Sequence, residues 1–137
     1  MRNILLSGLS IVILFSACSV EVNETNVAGK WKASDFESTI PDVPADFAEA
    51  GVKEFLSSIY TLNPDNSFEL RSDYFQQGAF GRWELNAETK EISMFYEMDS
   101  IKGVETYIIT ALTKSKIVLF QDIPDVKAHV EITLIKE

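Results

Sequence analysis

Cysteine and histidine are almost absent: the chain holds one of each, Cys18 and His129. One thiol and one imidazole cannot supply a zinc or haem ligand set. No Ser-His-Asp order can be argued with His129 as the sole candidate base. One cysteine also excludes an intrachain disulfide, so stability rests on a packed core. Positive charge is scarce too, with 12 Lys and Arg against 21 Asp and Glu. That balance argues against nucleic acid, whose phosphates require a basic patch, and keeps the body of the protein off an anionic lipid surface. No Gly-rich phosphate cradle is present. The carboxylates at Asp42/Asp46/Glu49 and Asp122/Asp125 lack the dense spacing of a calcium loop. These absences predict a protein that is not an enzyme, with no cofactor and no metal.

Long apolar runs are missing as well. The longest greasy stretch, Ile4 to Phe15, falls short of the ~20 residues a membrane-crossing helix needs. With Arg2 before it and Ser16-Ala17 after it, residues 1–17 read as a targeting segment. Without them, 11 of the 12 basic residues face all 21 acidic ones, and the formal charge is near −10.

The one cysteine stands directly after that segment, in "LFSAC". This pattern resembles the lipobox of bacterial lipoproteins, although Phe15 stands where that family prefers a branched aliphatic residue. The resemblance implies cleavage before Cys18, a diacylglycerol thioether on its sulfur and acylation of its amine. An ordinary signal peptide with an incidental cysteine is the alternative, disfavoured because a free thiol in an oxidising compartment is a liability. More than one acyl chain makes anchoring durable. Ser19, in place of the aspartate that retains such proteins at the inner membrane, implies the outer membrane of a cell envelope, on either face. Residues 18–27 then read as the lipidated cysteine and a polar tether, "SVEVNETNV", without helical or strand period. Nine residues reach at most ~30 Å.

From residue 28 to 137 the hydrophobic period is mostly two. "GKWKAS" opens a strand with Trp31 and Ala33 on one face. "TIPDVPADFAEAGVKEFLSS" predicts a short helix over about 44–57, weakened by Gly51. The rest is strand after strand: "IYTL" and "SFELRS" around "NPDN", "AFGRWEL" and "EISMFYEM" around "NAETK", "GVETYIITALT" and "KIVLFQD" around "KS", then "KAHVEITLIK" after "IPDV". Eight strands joined by short hairpins predict an all-β, antiparallel up-and-down barrel with one short helix between strands 1 and 2. In the last strand Ala128, Val130, Ile132 and Leu134 share the apolar face, and His129 lies on the polar one. The segment 103–113 is apolar on both faces, with Tyr107 and Ile109 on one side and Val104, Ile108 and Leu112 on the other. Its register stays open.

Gly29-Lys30-Trp31 on the first of eight short strands resembles the G-x-W signature of lipocalins and their calycin relatives. Together with the lipobox, the chain is similar to bacterial lipocalin-like lipoproteins. The resemblance implies that Gly29 and Trp31 form a structural plug at one end of the barrel. Lipocalins usually lay a late arginine over that tryptophan; the last arginine here is Arg82, so a lysine such as Lys114, Lys116 or Lys136 would have to substitute. The helix after strand 1 is similar instead to the lid of fatty-acid-binding proteins, but their C-terminal Arg-x-Tyr carboxylate anchor is missing from "HVEITLIKE".

An eight-stranded interior is either filled by side chains or just wide enough for one small ligand. Alternation puts Trp31, Tyr60, Leu62, Phe68, Leu70, Trp83, Leu85, Ile92, Met94 and Tyr96 on the inner face. Tyr60, Phe68, Leu70, Trp83, Met94 and Tyr96 are the candidate ligand contacts. Two functions stay open. One is a membrane-anchored barrel binding a small apolar or amphiphilic molecule. The other is a non-enzymatic accessory protein with a filled core, working through its outer surface in an envelope complex or on a polymer, for which an exposed apolar patch would speak. "DSI" at 99–101 resembles a three-residue O-glycosylation signal of some Gram-negative anaerobes, with Ser100 as acceptor.

Overall fold

The structure is a computed structural model that describes residues 18–41, 44–73, 78–98 and 100–137. The targeting segment 1–17, Asp42 and Asp99 lie outside the described residues. Eight strands form one closed barrel in chain order: β1 Gly29–Ser38, β2 Ile59–Leu62, β3 Ser67–Arg71, β4 Ala79–Asn86, β5 Glu91–Met98, β6 Ile101–Leu112, β7 Lys116–Ile123 and β8 Ala128–Lys136. Every neighbouring pair is antiparallel, and β1 pairs with β8 to close the ring. Closure leaves no sheet edge open to another chain. Among the described residues two α-helices accompany them, α1 Glu24–Val27 ahead of β1 and α2 Ala45–Phe55 between β1 and β2, and a 3-10 turn Pro124–Val126 links β7 to β8. This is the architecture the strand pattern predicts.

Alternation decides what faces inward. Leu62 and Phe68 are buried opposite one another on β2 and β3, as are Trp83 and Met94 on β4 and β5. On β8, Ala128, Val130, Ile132 and Leu134 are all buried while His129 is exposed. Turn chemistry fits the corners: Asn66, Lys90 and Lys127 take positive φ where hairpins reverse.

Two bulges break the alternation. In β1 the pairing with β8 shifts between Ala33 and Asp35, which turns Phe36 inward in place of Asp35. In β6 the pairing with β7 shifts between Ile109 and Ala111. The extra residue flips the phase, so Tyr107, Ile109 and Leu112 are all buried while Val104 and Ile108 stay exposed. This resolves 103–113: its two apolar faces belong to two phases of one bent strand.

The segment expected to be a free tether is not free. Ser19 bridges to Thr113, and the Val20 amide donates to the Leu112 carbonyl at 3.0 Å. Val20 and Val22 pack on the core and Val27 is fully buried. Asn23 caps α1, its side chain accepting from the Asn26 amide at 2.9 Å. Three valines in a polar stretch are enough to dock it, because each gains by leaving water.

Candidate functional site

The barrel has a filled end and an open end. The filled end lies where β1 begins and β8 finishes. Trp31 is fully buried there, and its indole Nε1 donates to the Val27 carbonyl at 2.9 Å. Lys136 Nζ sits 4.9 Å from the centre of the Trp31 ring and donates to the Ala28 carbonyl at 3.3 Å. A cation over an indole face is a favourable pairing, and Lys136 thus occupies the place considered for a substituting lysine. Gly29 makes room for it. Its φ is +148°, and a Cβ there would come within 2.9 Å of Lys136 Nζ. Trp83 fills the same half, with Nε1 donating to the Asn63 carbonyl in the β2–β3 turn at 2.9 Å. Leu62, Ile92, Ile109, Leu112, Ile117 and Leu134 complete that packing.

Toward the other end the side chains part around a cavity of about 480 Å³. This is within the range of about 300–1,000 Å³ typical of small-molecule pockets. Its walls are Tyr60, Phe68, Leu70, Met94, Tyr96, Tyr107 and Ile132, and Gly51, Glu54 and Phe55 of α2 stand at its mouth. The helix is held there by Phe55 against Phe36, ring centres 5.0 Å apart, and by the Ala33 amide donating to the Ser58 carbonyl at 3.0 Å. Tyr96 lies across Gly103 on β6, where a Cβ would come within 2.4 Å of the tyrosine ring. Glycine at 103 therefore lets the ring lie flat on the wall.

Among the described residues one charged side chain stands on the interior wall, besides Glu54 at the mouth. Glu105 on β6 stands opposite Met94 and accepts a hydrogen bond from the Tyr107 hydroxyl. Burial pushes the Tyr107 phenol well above its ordinary value of 10.0, and the neighbouring Glu105 adds to that. Burial, then Glu105, raises Tyr60 in the same direction. Below about pH 10 both folded and unfolded chains keep these protons. Above it only the folded chain does, so stability is present below that point and falls as pH rises. The expected slope is ~1.4 kcal/mol per pH unit for each of the two tyrosines. Urea midpoints measured from about pH 9 to about pH 11 check it, and Tyr107→Phe should flatten the fall.

The candidate contacts divide. Tyr60, Phe68, Leu70, Met94 and Tyr96 line the cavity; Trp83 does not, because the β2–β3 turn holds it in the filled half. Phe36, Tyr107, Val130 and Glu105 line it without having been singled out. Cys18 is exposed beside the docked segment, and Ser100 is exposed in the β5–β6 turn at the open end. Among the described residues no group of three His, Cys, Asp or Glu is placed to hold a metal ion. No protein-family model, no curated protein and no solved structure matches the chain.

Proposed function

We propose that this chain is a lipocalin-like lipoprotein, anchored to a membrane through acyl chains on Cys18, that carries a small apolar or amphiphilic molecule in the open half of its barrel. The observation that carries the binding reading is the cavity itself. A barrel built only as a scaffold gains by filling its interior, since unfilled volume costs stability. Here one half is closed around two tryptophans, and the other keeps about 480 Å³ beneath a helix held by few contacts.

The anchoring reading rests on the lipobox resemblance, and the docked segment gives it a geometry. Ser19 is already paired to the barrel at Thr113, so no slack separates Cys18 from the filled end. Acyl chains on that sulfur would set the filled end against the bilayer and turn the mouth outward. The ligand would enter and leave on the aqueous side.

The envelope-accessory reading has one observation in its favour. Phe80, Val104 and Ile108 are 48%, 57% and 43% exposed on the outer face of β4 and β6. Arg82 stacks on the neighbouring Phe95 at 4.3 Å, covering part of that surface. The two readings separate by ligand. Residues 18–137 contain the whole barrel with its docked segment. That span should bind the neutral probe N-phenyl-1-naphthylamine saturably, one molecule per barrel, with rising probe fluorescence. No saturable binding would favour the accessory reading.

A further inference from the structure

The cavity is aromatic and acidic at once. Tyr60, Phe68, Tyr96 and Tyr107 line it around Glu105, and Glu54 stands at its mouth. Tyr60 and Phe68 are themselves in contact, with ring centres 6.3 Å apart. Among the described residues no lysine, arginine or histidine lines the space. The stretches 42–43, 74–77 and 99 contain no basic residue either. The arginines of the barrel are committed to its outer surface. Arg71 pairs with Glu69 and lies over Phe80; Arg82 pairs with Glu84 and lies over Phe95. Lys102 pairs with Glu97 at 4.0 Å, also outside. Lys53 on α2 and Lys127 in the β7–β8 turn are exposed and do not line the cavity.

An anionic head group entering this space would meet a carboxylate and find no cation. A cationic one would meet the faces of tyrosine rings, which attract positive charge, and a carboxylate whose hydrogen-bond donor, Tyr107, holds it in place. The Tyr107 bond occupies Oε2. A carboxylate accepts through both oxygens, so Glu105 retains acceptor capacity for an ammonium.

Resting on the pocket reading above, we infer that the ligand is a cationic amphiphile: an apolar body with a protonated amine or quaternary ammonium, seated with its charge between Glu105 and the tyrosine rings. Fatty acids of the same length are rejected by the same groups. Charge selects among ligands here, and apolar burial supplies the affinity they share.

Three probes of one chain length test this on residues 18–137: decylammonium, 1-decanol and decanoate, each displacing N-phenyl-1-naphthylamine. Decylammonium is expected to bind at least ~10-fold more tightly than decanoate, a difference of 1.4 kcal/mol, with decanol between them. Glu105→Gln should close that gap from both sides, weakening decylammonium and improving decanoate. Tyr107→Phe, which keeps the carboxylate, should preserve the order. Decanoate binding as tightly as decylammonium would overturn the inference, as would an unchanged gap in a folded Glu105→Gln. The wild-type ranking decides the matter even where that variant fails to fold. Decanol binding without an ammonium preference would leave the pocket reading standing and remove this one; no binding by any of the three would remove both.

Discussion

Replacing Trp31 with alanine is expected to cost about 3–5 kcal/mol of folding stability. The ring is fully buried at the filled end, where Val27 packs with it in the core. Removing it abolishes the Nε1 bond to the Val27 carbonyl, and that buried carbonyl loses a partner. It also takes away the face on which Lys136 sits and removes one of the contacts that hold the docked N-terminal segment. Against a total of about 5–15 kcal/mol for an ordinary domain, such a loss brings the chain near unfolding. Urea denaturation followed by far-UV circular dichroism measures it. Trp31→Phe should recover most of the apolar burial but not the hydrogen bond. Lys136→Met should cost less than Trp31→Ala, since a partly exposed cation–π contact contributes only about 0.5–2 kcal/mol. Equal losses in the two would mean that the lysine, not the indole, holds this end.

The second large effect concerns location. Cys18→Ala, produced in a host that lipidates bacterial lipoproteins, should move the protein from the membrane fraction to the soluble fraction. Two or more acyl chains hold a protein on a bilayer durably, at ~0.8 kcal/mol per buried CH₂. The strongly negative remainder of the chain is expected to have no comparable hold on an anionic bilayer. The fold should be untouched: Cys18 is exposed, and the docking contacts begin at Ser19. Fractionation with an unfolding curve on the soluble form checks both halves. Continued membrane attachment of Cys18→Ala would end the lipoprotein reading while leaving the cavity unaffected.

The sequence pattern located the strands well, for a physical reason. In a closed antiparallel barrel every strand has one face in the core and one in water, so period-two alternation is strong. Val130-x-Ile132-x-Leu134 shows it without interruption. Alternation specifies which face a residue takes, however, and not how deep along the barrel axis it sits. Trp83 and Tyr60 both point inward, yet one is bonded to the β2–β3 turn at the filled end and the other lines the cavity. That depth depends on the stagger of neighbouring strands, which only the assembled pairing reveals. The bulges are the second source of difference. A single extra residue in β1 brings in Phe36, and one in β6 brings in Leu112.

Glu105 is not legible in the sequence for a simpler reason. A charged residue in a strand is ordinarily solvent-facing, and the strand around it had no readable register. Pairing with β5 would have exposed it, since Glu105 stands opposite Met94 and Tyr107 opposite Ile92. In the N-terminal stretch, Val20-x-Val22 and the cap at Asn23 carried the docking signal, masked by the polar residues around them.

Filling the cavity should abolish binding. Val130 is buried on β8 and faces the open half. Val130→Trp would place an indole in that space without touching the filled end. The expected result is a folded barrel whose saturable binding of N-phenyl-1-naphthylamine is lost, while wild type binds one probe. A folded Val130→Trp that binds the probe as wild type does would contradict it.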